Sequence, residues 1–336
     1  MGRALLFRMA KQWIAVIFTL VIAYVAFTQL DFDALFLALQ NVELEFVALA
    51  FGVWWLILFA KFLKWKTVIR GLDSSISLAD SAKTLLIGLF IGVITPGRIG
   101  DFVRVAYIEK KMGAGRSVMA VIIDRALDIG TLLVFGAVGM TILRSTKGIE
   151  IISPEVIAVL LLGFIGVLFA VFNRRIARIL WKKFQFLVPK KFHALIAYHG
   201  KEFYDSVPLI KKNSLTFALA AGYSVLAWSS NAAMGFFLMQ AAHIPVGWEA
   251  ALIVIPVISL VEIIPFGVAG AGTRELAAVL VFGAYGVSAE LAIIFSILYF
   301  IVGYGLSFVA GGIMFSREPP QLKKTIANLT QSMETK

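Results

Sequence analysis

Six apolar runs alternate along the chain with short polar segments, from about Trp13 to Thr28, Phe46 to Leu63, Ser117 to Leu143, Glu155 to Phe172, Leu215 to Gln240 and Ser288 to Phe315. A bilayer core of ~30 Å takes about 20 apolar residues of helix, so these runs predict membrane-spanning helices. Two further apolar blocks, Thr84 to Ala106 and Ala250 to Gly283, are each broken in the middle by proline and glycine. The first break reads TPGRIGDFVRV at residues 95–105, and the second reads EIIPFGVAGAGTREL at residues 262–276.

Basic residues collect on the cytoplasmic side of membrane proteins, and their placement orients these segments. Arg3, Arg8 and Lys11 precede the first run and put the N-terminus in the cytoplasm. Asp31, Asp33, Glu43 and Glu45 form an acidic loop suited to the outside, and Lys61, Lys64, Lys66 and Arg70 then mark a return inside. Residues 173–213 carry ten Lys or Arg against two acids, which predicts a large cytoplasmic loop, and Arg317, Lys323 and Lys324 keep the C-terminus inside. The first broken block has Lys83 before it and Lys110, Lys111 and Arg116 after it, so it enters from the cytoplasm and returns. The flanks of the second block carry no Lys or Arg, so it enters and returns from outside.

The order span, re-entrant hairpin, span therefore occurs twice in opposite orientations. Interrupted segments at matching places in two halves point to a transporter's midplane binding site. The alternative, two full spans joined by a tight turn in each block, leaves the topology unchanged. The expected fold is an all-α polytopic integral membrane protein of about eight membrane helices, six full spans plus two re-entrant hairpins in an inverted repeat. One transmembrane domain at residues 1–316 precedes a polar cytoplasmic tail at 317–336.

Composition sharpens this picture. The chain is 60% hydrophobic and 15% charged, whereas a soluble domain is roughly half apolar and a quarter charged. With no cysteine, disulfides, thiol nucleophiles and thiolate metal sites are excluded. His193, His199 and His243 are too scattered for a metal cluster, so no metal or cofactor is expected. The net charge of +11 fits the Lys and Arg that membrane proteins collect in cytoplasmic loops, and no basic soluble domain is read in the sequence to bind nucleic acid. The N-terminus has a basic start like a signal peptide but no small-residue cleavage site, so it reads as a retained first helix. Leu6 stands where a myristoylation signal needs Ser or Thr. Residues 173–200 mix basic and large apolar residues at helical spacing, which suits an interfacial helix on an anionic leaflet; a plain basic connector is the alternative.

Candidate chemistry lies in the breaks. Pro96-Gly97 reads as the tip of the first hairpin, with a half-helix starting near Arg98. Such a helix start carries unpaired amides and the positive dipole end, a ready phosphate site. Arg98 adds a bidentate fork, Arg104 a second cation, and Asp101, three residues from each, can pair with either. Asp124 and Asp128 share a helix face with Arg125 between them, and are expected to partner Arg98 and Arg104 when no ligand is bound. In the second block Pro265, Gly267, Gly270 and Gly272 form the break, Glu262 stands just before it, and Thr273 is placed to cap the helix carrying Arg274 and Glu275. Gly100 completes the first break. Glycine packing alone or a purely structural ion network is the competing explanation for each cluster. Intramembrane ionisable groups are costly and usually functional, which favours a paired anion centre with Arg98, Arg104 and Arg274 facing a lipid phosphate.

These residues resemble a known family. Pro96-Gly97-Arg98, Gly100-Asp101 and Arg104 are similar to the first motif of the lysylphosphatidylglycerol synthase transmembrane-region family, a flippase-like domain. Asp124-Arg125 with Asp128 resembles its second motif, and Gly270, Gly272 and Arg274-Glu275 its third. The family more often has Glu where Asp101 and Asp124 stand, and Pro-Gly where Val268-Ala269 stand. The resemblance covers roughly residues 10–315 and implies an eight-helix domain associated with moving lipids across the bilayer. It also implies that lysyl transfer belongs to a separate soluble domain, absent from this sequence.

The leading expectation is thus a stand-alone, non-enzymatic lipid translocase of the plasma membrane with both termini cytoplasmic. Its cargo would be an aminoacylated phospholipid or a polyprenyl-phosphate-linked sugar. Its partners would be anionic or phosphate-bearing membrane lipids, with room for a homo-oligomer and a separate lipid-modifying enzyme. A membrane transferase using Asp101, Asp124 or Asp128 as general base, and an ion-coupled small-solute transporter, are the alternatives.

Overall fold

The computed structural model describes residues 32–73, 75–187, 193–264 and 270–319, and every regular element among them is helical. The expected first span at Trp13 to Thr28, the break residues Pro265 and Gly267, and the tail from residue 320 lie outside the described residues.

The acidic segment before the second run contains a short helix, α1 (Phe32–Gln40), and α2 (Leu44–Leu72) follows. α3 (Leu78–Ile94) begins at Ser77, whose hydroxyl accepts the Asp80 N–H, and stops before Pro96, which pushes Thr95 out of the helical region. A 3₁₀ stretch at Pro96–Phe102 leads into α4 (Val103–Met112), then α5 (Ala114–Lys147) and α6 (Pro154–Phe172). The basic segment forms α7 (Arg174–Phe184), one residue after α6, and α8 (His193–Lys212). The second half comprises α9 (Ser214–Ala241), α10 (Ala251–Val261), α11 (Thr273–Gly283) and α12 (Ala289–Arg317).

Among the described residues, α2, α5, α6 and α12 are long and apolar enough to cross a membrane. α9 has the length, 28 residues, but Ser224, Ser230 and Asn231 dilute its apolar character and are themselves buried. It is the main packing partner of α2. Three of the four arms of the broken blocks are short: α4 has 10 residues, and α10 and α11 have 11 each, while α3 has 17. At 1.5 Å per residue the three short arms reach roughly 15–17 Å, about half of a bilayer core. Their length suits hairpins that turn back.

Packing between the halves is reciprocal. α2 lies on α9, its counterpart; the first hairpin arm α3 lies on α12, and its counterpart α10 lies on α5. Glycine makes both hairpin contacts close. A Cβ at Gly311 of α12 would sit 2.7 Å from Phe90 Cβ, and one at Gly139 of α5 would sit 2.8 Å from Leu252 O. Both contacts thus use the same device.

Two apolar cores result. One gathers Trp54 and Ile57 of α2, Leu132 and Met140 of α5, and Trp228 and Met234 of α9; the other gathers Trp65 and Val68 of α2, Met119 and Ile123 of α5, and Phe217 of α9. The residues between them on the same helices are Lys61 and Lys64, Asp124 and Asp128, and Ser224. The ionisable groups therefore occupy the seam between the cores.

Candidate functional site

The seam is assembled from both breaks. Gly97 and Arg98 have φ of 63° and 54°, left-handed values that a non-glycine residue such as Arg98 rarely adopts. Gly100 closes the turn by donating its N–H to Thr95 Oγ1 at 2.8 Å, while Thr95 Oγ1 donates to the Ile91 carbonyl at 2.7 Å. A side chain at Gly100 would collide with both of these acceptors. This turn sends Arg98 away from its own hairpin. Its Nη2 lies 2.6 Å from Glu262 Oε2, at the end of α10, and also meets the Tyr304 hydroxyl, which itself donates to Glu262 Oε2 at 2.8 Å.

The expected start of the half-helix at Arg98 needs correction, because the α-helix begins at Val103 and Arg98 stands in the 3₁₀ turn before it. Asp101 does not partner Arg98 either, since the left-handed turn separates them. It faces Arg104 Nη2 at 3.1 Å and Arg125 Nη1 at 3.1 Å.

Arg104 is fully buried, its Nη1 2.9 Å from Asp124 Oδ2 and its guanidinium stacked 4.6 Å from the Trp65 ring. Gly88 and Gly92 of α3 leave the space: a Cβ at Gly88 would collide with Arg104, and one at Gly92 would lie 2.8 Å from Asp101 Oδ1. Arg125 Nη2 spans Asp124 Oδ2 at 2.8 Å and Asp128 Oδ2 at 3.1 Å. Lys64 closes the cluster from α2, with Nζ 2.9 Å from Asp124 Oδ1 and 2.6 Å from Asp128 Oδ1. Trp228 Nε1 donates to the same Asp128 oxygen at 2.9 Å.

Lys64 was not legible as a site residue. Together with Lys61 it looks like the basic end of a span, but α2 continues to Leu72 and buries it. The signal was its spacing: Trp54, Ile57, Lys61, Lys64 and Val68 follow one helical stripe.

In the second break Gly270 has φ of 71°, and a Cβ there would lie 2.7 Å from Glu262 Cγ. Thr273 does not cap α11. It lies inside the helix and donates to the Gly270 carbonyl, while Gly272, with φ of 83°, is the cap residue and donates its N–H to Glu275 Oε2 at 2.7 Å. Arg274 Nη2 meets Glu275 Oε1 at 2.6 Å, its Nε donates to Ser296 at 2.9 Å, and its guanidinium stacks 4.6 Å from Phe300. Arg274 Nη1 also lies 3.6 Å from Glu262 Oε1, which links it to Arg98 through one carboxylate.

The result is a chain of charges across the seam. A small cavity beside Arg98, bordered by Thr95, Glu262, Gly270 and Tyr304, has a volume of about 10 Å³, room for a water-sized group. Arg98 and Arg125 keep 18% and 24% of their side chains exposed, against 0% for Arg104 and 6% for Arg274. Access from outside therefore reaches Arg98 and Arg125 first. Among the described residues, no group of three His, Asp or Glu side chains is placed to hold a metal ion.

Comparison with known proteins agrees with this architecture. The chain is 22% identical over 298 residues to the UPF0104 membrane protein PH1989 of Pyrococcus horikoshii, covering 82% of this chain and 88% of that one. It is 23% identical over 321 residues to the UPF0104 membrane protein MJ1595 of Methanocaldococcus jannaschii, covering 91% and 94%. Residues 12–311, which include both breaks and the charged seam, match the family described as the lysylphosphatidylglycerol synthase TM region. The chain is a membrane protein and belongs to that family.

Proposed function

We propose that this protein moves a phosphate-bearing lipid between leaflets of the cell membrane and transfers no chemical group itself. The observation that carries this reading is the Arg98–Glu262 pair, which joins the first break to the end of α10, just before the second, at a charged seam. Buried ion networks contribute little net stability compared with apolar packing, so a role beyond stability accounts for this one better. Arg98 and Arg125, the more open arginines of the seam, meet the phosphate first. Arg104 and Arg274 stand behind them and reach the phosphate only when their carboxylates let go.

The carboxylates support the non-enzymatic part. Asp101, Asp124, Asp128, Glu262 and Glu275 are each engaged by a basic side chain, which leaves none poised as a general base. In this reading both termini are cytoplasmic, the two hairpins enter from opposite faces, and a separate enzyme makes the lipid.

The test is reconstitution into vesicles carrying fluorescent phosphatidylglycerol, with dithionite quenching of the outer leaflet. Protein-dependent quenching of the inner-leaflet pool is expected, and quenching equal to that of protein-free vesicles would overturn the reading for this lipid head.

A further inference from the structure

We infer that Lys61 receives the phosphate, in a site shared with Arg98 and Arg125 that fits a singly charged phosphodiester head. This rests on the lipid reading above and adds to it a residue and a substrate class. Lys61 is half-buried on α2, one helical turn before Lys64, with its ammonium over the Trp228 ring at 5.4 Å. Among the described residues no carboxylate forms an ion pair with it. The other basic groups of the seam, Lys64, Arg98, Arg104, Arg125 and Arg274, each have at least one carboxylate partner. Trp228, under the Lys61 ammonium, donates its Nε1–H to Asp128 Oδ1 at 2.9 Å, so Lys61 borders the charged seam.

Three observations converge on this spot. Among the described residues six cations of the seam, counting Lys61, face the five carboxylates Asp101, Asp124, Asp128, Glu262 and Glu275, so one positive charge is in excess. An uncompensated charge in an apolar surrounding is costly, and a monoanion cancels it. Arg98 and Arg125 are the partly exposed arginines of the seam, and the buried Nε of Arg125 has no acceptor. A phosphodiester supplies one negative charge and two unesterified oxygens for these donors. A pyrophosphate would replace the positive excess with a negative one.

The experiment titrates purified full-length protein, in neutral detergent, with dihexanoyl phosphatidylglycerol, dihexanoyl phosphatidylcholine, inorganic phosphate and inorganic pyrophosphate. Wild type is expected to prefer the phosphatidylglycerol probe, a net monoanion, over the zwitterionic phosphatidylcholine, which cancels no excess charge, and over the two inorganic anions; equal binding of the two lipids would overturn the charge argument. Lys61→Met and Lys61→Gln should bind it roughly tenfold or more weakly, the loss of one charge-assisted contact, while their melting temperature stays at or above wild type. Wild type that binds no probe would overturn this inference and, for this lipid head, the proposed function as well. Equal binding of phosphatidylglycerol by wild type and both variants would overturn this inference alone. So would wild-type preference for pyrophosphate, or inorganic phosphate binding as tightly as the lipid. Failure of both variants to assemble would show a structural lysine and overturn it too.

Discussion

Lys64→Met tests whether the seam is the ion network described. The side chain is 2% exposed, and its ammonium contacts Asp124 at 2.9 Å and Asp128 at 2.6 Å. Removing one partner of a buried pair costs about 3–5 kcal/mol, because the stranded charge has no water to return to. Asp124 keeps Arg104 and Arg125, and Asp128 keeps Arg125 and Trp228, so the lower end applies. At ~2 °C per kcal/mol for a chain of this size, the melting temperature should fall by ~6 °C. The assay is heating of detergent-purified protein with the folded fraction read by size-exclusion fluorescence. Arg70→Met, on the exposed side of the same helix, is the control and should stay within about 1 °C. Lys64→Met with Asp128→Asn removes opposite charges together and should recover about half of the loss. A fall of less than ~2 °C for Lys64→Met alone would refute the reasoning, since no stranded charge of that kind costs so little.

Further outcomes follow from the same geometry. Gly88→Ala should lower the yield of assembled protein by displacing Arg104, while Gly52→Ala, with nothing within 4 Å of the added Cβ, should be silent by the same gel-filtration readout. Cysteine labelling in cells should reach Lys110→Cys only from the cytoplasm and Glu45→Cys only from outside; labelling of Lys110→Cys from outside would contradict the first hairpin. Purified protein supplied with activated sugar or aminoacyl donors and bilayer lipids should form no new lipid by mass spectrometry, and a modified lipid would move the transferase reading to first place.

Much of the fold was legible because a bilayer leaves few options: apolar runs of span length must be helical, and Pro-Gly breaks must sit where protein or water satisfies the backbone. The described spans and the first break follow that logic. Partner choice was not legible. Asp101 is three residues from Arg98, yet Arg98 pairs with Glu262, 164 positions away, because two left-handed residues redirect the chain. Local spacing gives neighbours on one regular helix and says nothing once the helix is broken. Lys61 and Lys64 were hidden by a rule about loops that happens to apply to the end of a long helix. Gly88 and Gly92 look like packing glycines in the sequence, and only the folded arginine and aspartate beside them reveal what they accommodate. Tyr304, Ser296 and Trp228 are ordinary residues of apolar helices until the buried carboxylates they serve are in place.

The central claim is that the cross-hairpin pair is a lipid-phosphate site rather than a brace. The most direct measurement compares wild type with Arg98→Gln combined with Glu262→Gln in the dithionite vesicle assay, after both have been shown to assemble and melt alike. Removing both charges leaves no stranded partner, so folding should survive. The account predicts that the double variant folds yet leaves inner-leaflet phosphatidylglycerol protected from quenching, as in protein-free vesicles. A folded double variant that moves the lipid at the wild-type rate would contradict it and leave Arg98 and Glu262 as a structural brace.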